Sequence, residues 1–290
     1  MEEKRLRIAL QKKGRLSEKS QEIIKACGID FGVDERVLRD VASNFPLEFL
    51  FVRDDDIPTL VADGVADIGI VGRNGYDESG YSLDVIKDLG FAKCRLSIAV
   101  PNEMEYTGLK CLEGKRIATS YPRITGNILQ ANGVNASFVE VAGSVEITPQ
   151  IGIADCICDL VSTGTTLKMN GLKEVEVIYR TSAVMIAVPE MEKKDPERWA
   201  ILQRLLTRME AVNLAKHKKY VLFNLPKENL EKAAAIIGGM KSPTVTPLMD
   251  TDWVSVQSVV SEDRFWEVFE SLRAIGAEGI LVLNIEKMTE

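Results

Sequence analysis

Residues 47–71 read LEFLFVRDDDIPTLVADGVADIGIV, and the order of signals in them decides the fold class. Leu47–Val52 is a near-continuous apolar run, as expected of a strand covered on both faces. Asp54, Asp55 and Asp56 follow, then Ile57-Pro58. Acidic residues and a proline in a first turn open a helix. That helix is predicted to stop at Gly64, after which Ala66–Val71 returns as a strand. The same rhythm extends in both directions. Upstream, Arg5–Leu10 reads as a strand and Ser17–Ala26 as a helix, with Ser17 as N-cap and Gly28 just past the end. Downstream come strands at Arg95–Val100, Arg116–Ser120, Phe138–Val141 and Cys156–Val161. Helices are predicted at Pro122–Ala131, at Ile147–Ala154 and from Thr165. Val175–Val188 is long and apolar. Repeated strand-then-helix order predicts parallel sheets with helices on both faces.

The final third differs. Pro196–Lys219 reads as one amphipathic helix, with Trp199, Leu202, Leu206, Met209 and Val212 at three- and four-residue spacing. Its end carries Lys216, His217, Lys218 and Lys219, which suits the negative end of a helix dipole. Beyond it lie a strand (Tyr220–Leu225), a helix (Lys227–Ile237) stopped by Gly238-Gly239, and two strands (Thr244–Leu248, Trp253–Val260). A second helix, capped by Ser261, carries Phe265, Phe269, Leu272 and Ile275 and stops at Gly276. Ile280–Ile285 closes the unit. This β-α-β-β-α-β order is the ferredoxin-like split βαβ.

Composition limits the function. The 290 residues suggest about two domains, or three small ones. With 36 Lys+Arg against 43 Asp+Glu the net charge is −7, a poor basis for general nucleic-acid binding. A single His, His217, falls in a charged tail and reads as a solvated surface residue; it makes His-based acid–base chemistry an improbable basis for catalysis. No apolar run approaches the roughly 18 residues of a spanning helix, and the N-terminus lacks a signal-peptide stretch. Five cysteines, an odd number without CxxC spacing, fit reduced thiols in a cytoplasmic protein. Cys156 and Cys158 read as small buried hydrophobes rather than a metal or redox pair.

The segment richest in chemistry is Asp155-Cys156-Ile157-Cys158-Asp159-Leu160-Val161-Ser162-Thr163-Gly164-Thr165-Thr166-Leu167. A strand runs into a turn of hydroxyls around a glycine, and the turn opens a helix. Free backbone N–H groups and the positive dipole end favour an anion there. Ser162, Thr163, Thr165 and Thr166 add donors without bulk, and Gly164 admits a phosphate close to the backbone. Asp159 stands where it can accept hydrogen bonds from sugar hydroxyls. One phosphate and one ribose are thus served together, against the plainer alternative of a capped helix with spare hydroxyls. After the first strand, Gln11-Lys12-Lys13-Gly14-Arg15 lies where ligands of α/β sheets bind. It reads equally as a local anion site or as a solvated basic loop. Arg53–Asp56, Gly69–Asn74 and Arg116–Pro122 are weaker candidates, each where a strand runs into a loop.

Together these segments resemble the ATP phosphoribosyltransferases that open histidine biosynthesis, in the long form that carries a C-terminal regulatory domain. The residues that carry the resemblance are Leu6–Lys12, Gly14–Ser17, Arg53–Pro58, Cys94–Ser97, Gly114–Pro122, Asp159–Leu167 and Leu281–Met288, which span nearly the whole chain. The resemblance implies an α/β catalytic part of two lobes, periplasmic-binding-protein-like (type II), plus the ferredoxin-like regulatory domain. The lobes would be residues 1–93 with 182–214, and 94–181; the regulatory domain would be 219–290. It implies the substrates ATP and phosphoribosyl pyrophosphate, Mg²⁺, inhibition by histidine and a dimer–hexamer system. Phosphoribosyl pyrophosphate would meet Asp155, Asp159, Ser162, Thr163, Gly164, Thr165 and Thr166. Lys12, Arg15 and Asp159 would carry catalysis. Gln11, Lys12, Arg15, Arg53, Asp54, Arg95, Thr119, Ser120 and Tyr121 would bind ATP or line the cleft. The loop lacks the adjacent acidic pair of the more widespread phosphoribosyltransferases, so their fold is not expected.

Adenine N1 has a free lone pair, so a strong base is not required, and catalysis is expected to rest on positioning and electrostatics. Mg²⁺ prefers substrate phosphates and water over an all-protein cage, so no dedicated ligand cluster is expected. A two-lobed solute-binding protein is the main rival; its usual signal peptide and simple amino-acid site do not match. A transcriptional effector sensor would need a DNA-binding helix pair, and none reads out of the sequence.

Overall fold

The structure is a computed structural model and describes residues 4–32, 37–238, 242–249 and 252–289. The predicted stop at Gly239 and the residues Met1, Glu2 and Glu3 lie outside the described residues. The chain divides into two compact units: Met1–Glu22 with Ile29–Ile201, and Ile23–Gly28 with Leu202–Glu290.

The first unit holds two sheets. The chain begins with β1 (Leu6–Gln11), α1 (Arg15–Ala26), β2 (Arg39–Val41), β3 (Leu47–Val52), α2 (Ile57–Ala62), β4 (Ile68–Gly72), α3 (Arg73–Ser79) and β5 (Asp84–Asp88). It continues through β6 (Cys94–Pro101), β7 (Arg116–Thr119), α4 (Pro122–Ala131), β8 (Ser137–Glu140), β9 (Cys156–Val161), α5 (Thr165–Met169) and β10 (Leu172–Thr181), then β11 (Ala183–Ala187). One sheet runs β2-β3-β1-β4-β11-β5 and the other β8-β7-β9-β6-β10. Apart from the edge strand β2, both follow one permutation: second strand, first, third, a strand that has crossed over, fourth. This is the two-lobed type II periplasmic-binding-protein-like arrangement.

The sheets are mixed, not parallel as the strand–helix rhythm predicted. The βαβ pairs β1·β3, β1·β4, β7·β8 and β7·β9 are parallel. The crossing strands β11 and β6 run antiparallel to both neighbours. The apolar stretch Val175–Val188 concealed the crossing: it breaks at Ser182 into two strands of different sheets. The two crossings lie against each other. Leu89 N donates to Ala183 O and Ala183 N to Phe91 O, both at 2.9 Å, and Ser182 Oγ donates to Asp88 at 2.8 Å.

Two helix expectations change. Gly14, at φ +101°, turns the chain out of β1 early, so α1 starts at Arg15. Ser17 is therefore inside the helix, buried, and accepts a hydrogen bond from Gln21 Nε2 at 3.0 Å. Ile147–Ala154 is not a helix; a 3-10 turn covers Val145–Ile147 and ends there. Pro149 has no N–H to donate, and Gly152 at φ +73° leaves the right-handed region.

α6 (Met191–Lys194) and α7 (Pro196–Lys216) follow, the unit boundary falling within α7. α7 ends three residues before the predicted limit because Lys218 already belongs to a strand, with His217 exposed between them. Leu202 and Met209 of the predicted stripe are buried, as are Leu205 and Ala215. The second unit then builds β12 (Lys218–Pro226), α8 (Leu230–Ile237), β13 (Thr244–Pro247), β14 (Trp253–Ser261), α9 (Phe265–Ala274) and β15 (Glu278–Asn284). Their sheet, β13-β14-β12-β15, is antiparallel throughout, as the split βαβ predicts. Val221, Phe223 and Leu225 alternate inward on β12 against Val254, Val256 and Val260 of β14, closed by Ile237, Val268 and Leu272 from the helices. Each such buried side chain stabilises by about 1.5–3 kcal/mol. Ser261 makes no side-chain cap bond, because a 3-10 turn at Glu262–Arg264 precedes α9.

Candidate functional site

The hydroxyl loop leaves β9 at Val161 and enters α5 at Thr165. Gly164 stands at the cap with φ +77°. A Cβ there would meet only Val161 Cγ1, at 3.8 Å, so glycine is required for its backbone angle rather than for space. A chamber of about 230 Å³ is lined by Asp159, Ser162, Thr163, Gly164 and Thr166, together with Arg15 and Glu146. Asp159 is half-buried. Burial pushes its carboxyl up to about 6; the Leu160 N–H at 2.7 Å opposes the rise and nearby Glu146 adds to it. Desolvation thus leaves a carboxylate poised to accept donors from a ligand.

Arg15, Leu160 and Ser162 also line a second chamber of about 350 Å³, with Gln11, Asp54, Asp55, Asn74, Lys93, Cys94 and Tyr121 on its walls. Asp54, Asp55, Gly75 and Tyr121 continue into a third, of about 850 Å³, which adds Glu78, Ser120 and Glu140. The shared walls make one cleft between the two sheets of the first unit. Burial first, then Asp54 and Asp56, raises the Asp55 carboxyl above its usual range.

α3 ties the two sides of this cleft. Glu78 accepts from the backbone N–H of Arg123 (2.7 Å) and of Ile124 (2.9 Å), capping α4 with a charge of favourable sign. Asn74 Nδ2 donates to Tyr121 Oη at 3.1 Å, and Thr181 Oγ1 donates to Asn74 Oδ1 at 2.8 Å. Tyr179 donates to Asp77. Burial pushes the Tyr121 phenol up, leaving it neutral.

Not every residue named from the sequence reaches the cleft. Asp155 precedes β9 at the end opposite the loop, roughly 20 Å away at 3.3 Å per residue. Its carboxylate accepts from the Arg116 backbone N–H at 2.8 Å. Thr119 is fully buried, and its Oγ1 accepts from Tyr121 N at 2.9 Å. Arg95 donates to Glu174 and to the Ser162 carbonyl, away from the chamber walls. Thr165, Lys12 and Arg53 are also absent from the walls; Thr165 shares a hydroxyl contact with Thr163 at 3.1 Å. Gln11, Arg15, Asp54, Ser120, Tyr121, Asp159, Ser162, Thr163, Gly164 and Thr166 do line it. Glu146, Glu140, Lys93 and Glu78 were missed, since no local motif marks them; Asn74 lay within the weaker candidate Gly69–Asn74. Cys156 and Cys158 are buried free thiols, pushed up to about 12 by burial.

Among the described residues, no group of three or more His, Cys, Asp and Glu is arranged to hold a metal ion, and no helix is long and apolar enough to cross a membrane.

Comparison with known proteins follows the same outline. Residues 53–211 match the family described as ATP phosphoribosyltransferase, and residues 215–287 match that family's C-terminal domain. An ATP phosphoribosyltransferase of Cytophaga hutchinsonii is 53% identical over 285 residues, covering 98% of this chain and 99% of its own. One from Parabacteroides distasonis is 52% identical over 283 residues, with the same coverage of both chains. A solved chain of the ATP phosphoribosyl transferase (HisG:HisZ) complex from Thermotoga maritima superposes with a TM-score of 0.60 at 29% identity. It covers 71% of this chain and 98% of its own length.

Proposed function

The chain belongs to the ATP phosphoribosyltransferase family, in the form with a C-terminal domain, and from that premise we propose how its cleft performs the first step of histidine biosynthesis. The phosphoribosyl group of phosphoribosyl pyrophosphate moves to N1 of the adenine of ATP. The N1 lone pair forms the new bond to C1 as the C1–oxygen bond breaks, and pyrophosphate leaves with the bonding pair. N1 needs no deprotonation before attack, so the protein's task is to align the partners and hold charge.

The observation that carries this reading is the joining of Asp159, the hydroxyl loop and Arg15 in one small chamber. Asp159 accepts from the ribose hydroxyls. Ser162, Thr163, Gly164 and Thr166 surround the 5′-phosphate. Arg15, shared by two chambers, faces pyrophosphate where it develops, with Lys12 as a further cation nearby. The third chamber, of about 850 Å³, takes adenine and its ribose, because Asp54, Glu78 and Glu140 accept from amino and hydroxyl groups and repel a phosphate. The triphosphate then points back toward Arg15 and Lys93. The oxygen donors of Asp54 and Asp55 suit a hard cation carried in with its waters, and Mg²⁺ bound to the phosphates would neutralise the leaving group. The test is pyrophosphate release with ATP, phosphoribosyl pyrophosphate and Mg²⁺, each omitted in turn. Release that persists without ATP would reject the reaction.

The reading extends to organisation. Residues 1–93 with 182–214 form one catalytic lobe, 94–181 the other, and 219–290 a regulatory domain that binds histidine around Thr244–Leu248 and Trp253–Val260. The enzyme works in the cytoplasm as a homo-oligomer of the dimer–hexamer kind. Histidine inhibits only by binding one state better than another. Truncation after Lys218 is expected to abolish inhibition; equal inhibition of an active truncated enzyme would put the effector in the catalytic lobes.

A further inference from the structure

Arg95 holds the hydroxyl loop through the Ser162 carbonyl without lining any of the three chambers. In the register of β6 and β9, Arg95 is opposite Val161 and Ser97 opposite Asp159. Opposed residues of an antiparallel pair project to one face, as do residues two apart, so Arg95 and Ser97 share the face of Asp159. Glu174 comes from β10, on the other side of β6, at a register irregularity between Glu174 and Glu176. Such irregularities re-aim side chains. Glu174 accepts Arg95 Nε at 2.6 Å and Nη2 at 2.7 Å, a two-pronged pairing, and Ser97 Oγ at 2.7 Å. Ser97 is fully buried, and its hydroxyl therefore anchors the carboxylate from the sheet. The remaining edge of the guanidinium donates through Nη1 to the Ser162 carbonyl at 3.0 Å. Ser162 lines two chambers; Arg95 lines none of the three.

We propose that Ser97, Glu174 and Arg95 form a brace that positions the phosphate loop: the carboxylate orients the guanidinium, and the guanidinium holds the Ser162 carbonyl. Arg95 is a positioning residue and does not touch substrate. The proposal rests on the reading that this loop receives the 5′-phosphate of phosphoribosyl pyrophosphate. A carbonyl oxygen free to turn toward a phosphate repels it, and engagement by Arg95 removes that acceptor from the site. A planar, forked cation meets two carboxylate oxygens and a third acceptor in one fixed geometry; an ammonium also has three donors, but on a flexible stem and without that geometry. The pairing is consistent with its electrostatics, since the Arg95 guanidinium holds the Glu174 carboxyl below the usual carboxylate range.

The test uses the full-length enzyme and four variants: Glu174→Gln, Arg95→Lys, Ser97→Ala and Gly164→Val. Binding of phosphoribosyl pyrophosphate is measured by calorimetry, KM for each substrate and kcat by pyrophosphate release, and folding by thermal melts. Glu174→Gln and Arg95→Lys should each weaken phosphoribosyl pyrophosphate by about ten- to a hundredfold, the loss expected for a charged hydrogen bond. KM for ATP and kcat at saturation should stay within about threefold, as for an interaction lost from ground and transition states alike. Ser97→Ala removes one bond to the carboxylate, and a several-fold loss in the same constant alone is expected. Wild-type affinity in Arg95→Lys would mean that the residue acts by charge, and would overturn the brace. So would equal losses for ATP and phosphoribosyl pyrophosphate, or unchanged affinity in Glu174→Gln while Gly164→Val is weakened. Unchanged affinity in Gly164→Val would instead remove the loop assignment itself, and the brace with it.

Discussion

Replacing Asp159 by asparagine should stabilise the protein while it weakens the substrate. The carboxyl rises from an ordinary 3.8 to about 6 because its half-buried position strips water from it. That rise corresponds to about 3 kcal/mol of unfavourable burial once the group is ionised. The sign follows from proton counting. Between pH 3.8 and about 6 the folded chain holds more of this proton than the unfolded chain, so stability falls as pH rises through that window and is level above it. Asp159→Asn keeps the shape and an acceptor for the Leu160 N–H but carries no charge. Its advantage over the wild type should be near zero at pH 4 and reach up to about 3 kcal/mol at pH 8, or about 5–10 °C in melting temperature. Affinity for phosphoribosyl pyrophosphate should drop by about ten- to a hundredfold at pH 8. Wild-type affinity should also fall below pH 6 relative to the variant, which serves as control for titration of the ligand's own phosphates. Paired melts at the two pH values, with calorimetric binding, provide the measurements. A variant no more stable than wild type at pH 8, or a gain equal at both pH values, would refute the reasoning.

Gly164→Val places a branched side chain at φ +77°, at about 1–2 kcal/mol of backbone strain; KM for phosphoribosyl pyrophosphate should rise far more than KM for ATP in steady-state kinetics. Arg15→Ala removes an exposed cation shared by two chambers, and kcat/KM should fall by about tenfold or more with an unchanged melting temperature; a loss explained by melting would count against the placement. Glu78→Gln keeps the length of the side chain but loses its charge at the α4 terminus, and an unfolding free energy lower by about 1 kcal/mol, read as a lower urea midpoint, is expected in equilibrium unfolding.

Local patterns carried most of the elements. α4 and β9 lie on the predicted residues because proline at a first turn, and an apolar run before a hydroxyl turn, act over a few positions. The crossing at Ser182 was hidden because a change of sheet leaves no local motif: half-buried β10 (LKEVEVIYRT) runs through one polar residue into fully buried β11 (AVMIA) with no turn signal between them. In the site, Asp159 and the loop were readable as one contiguous motif. Asp155 was misplaced because four residues along a strand separate side chains that sequence shows as neighbours. Glu174 could not be read at all: its partner Arg95 is 79 residues away, and the pairing depends on β10 lying beside β6.

Strand exchange also orders events in time. β11 sits between β4 and β5 in the interior of the first sheet, yet its residues follow the whole of 94–181. As the chain is synthesised, the first sheet therefore lacks the strand that joins its edge strand β5 to β4 until the second sheet is complete. β6, by contrast, is the earliest strand of its own segment, so that sheet can close as soon as β10 has emerged. The lobe that begins the chain is the last to finish. Until then the facing edges of β4 and β5 lack their partner, and unpaired edges invite association between nascent chains. Chains ending near residue 181 should accordingly protect the amides of 94–181 from hydrogen exchange while leaving open those of β5 and the β4 amides that face β11 rather than β1; protection of these amides in such chains would contradict this order.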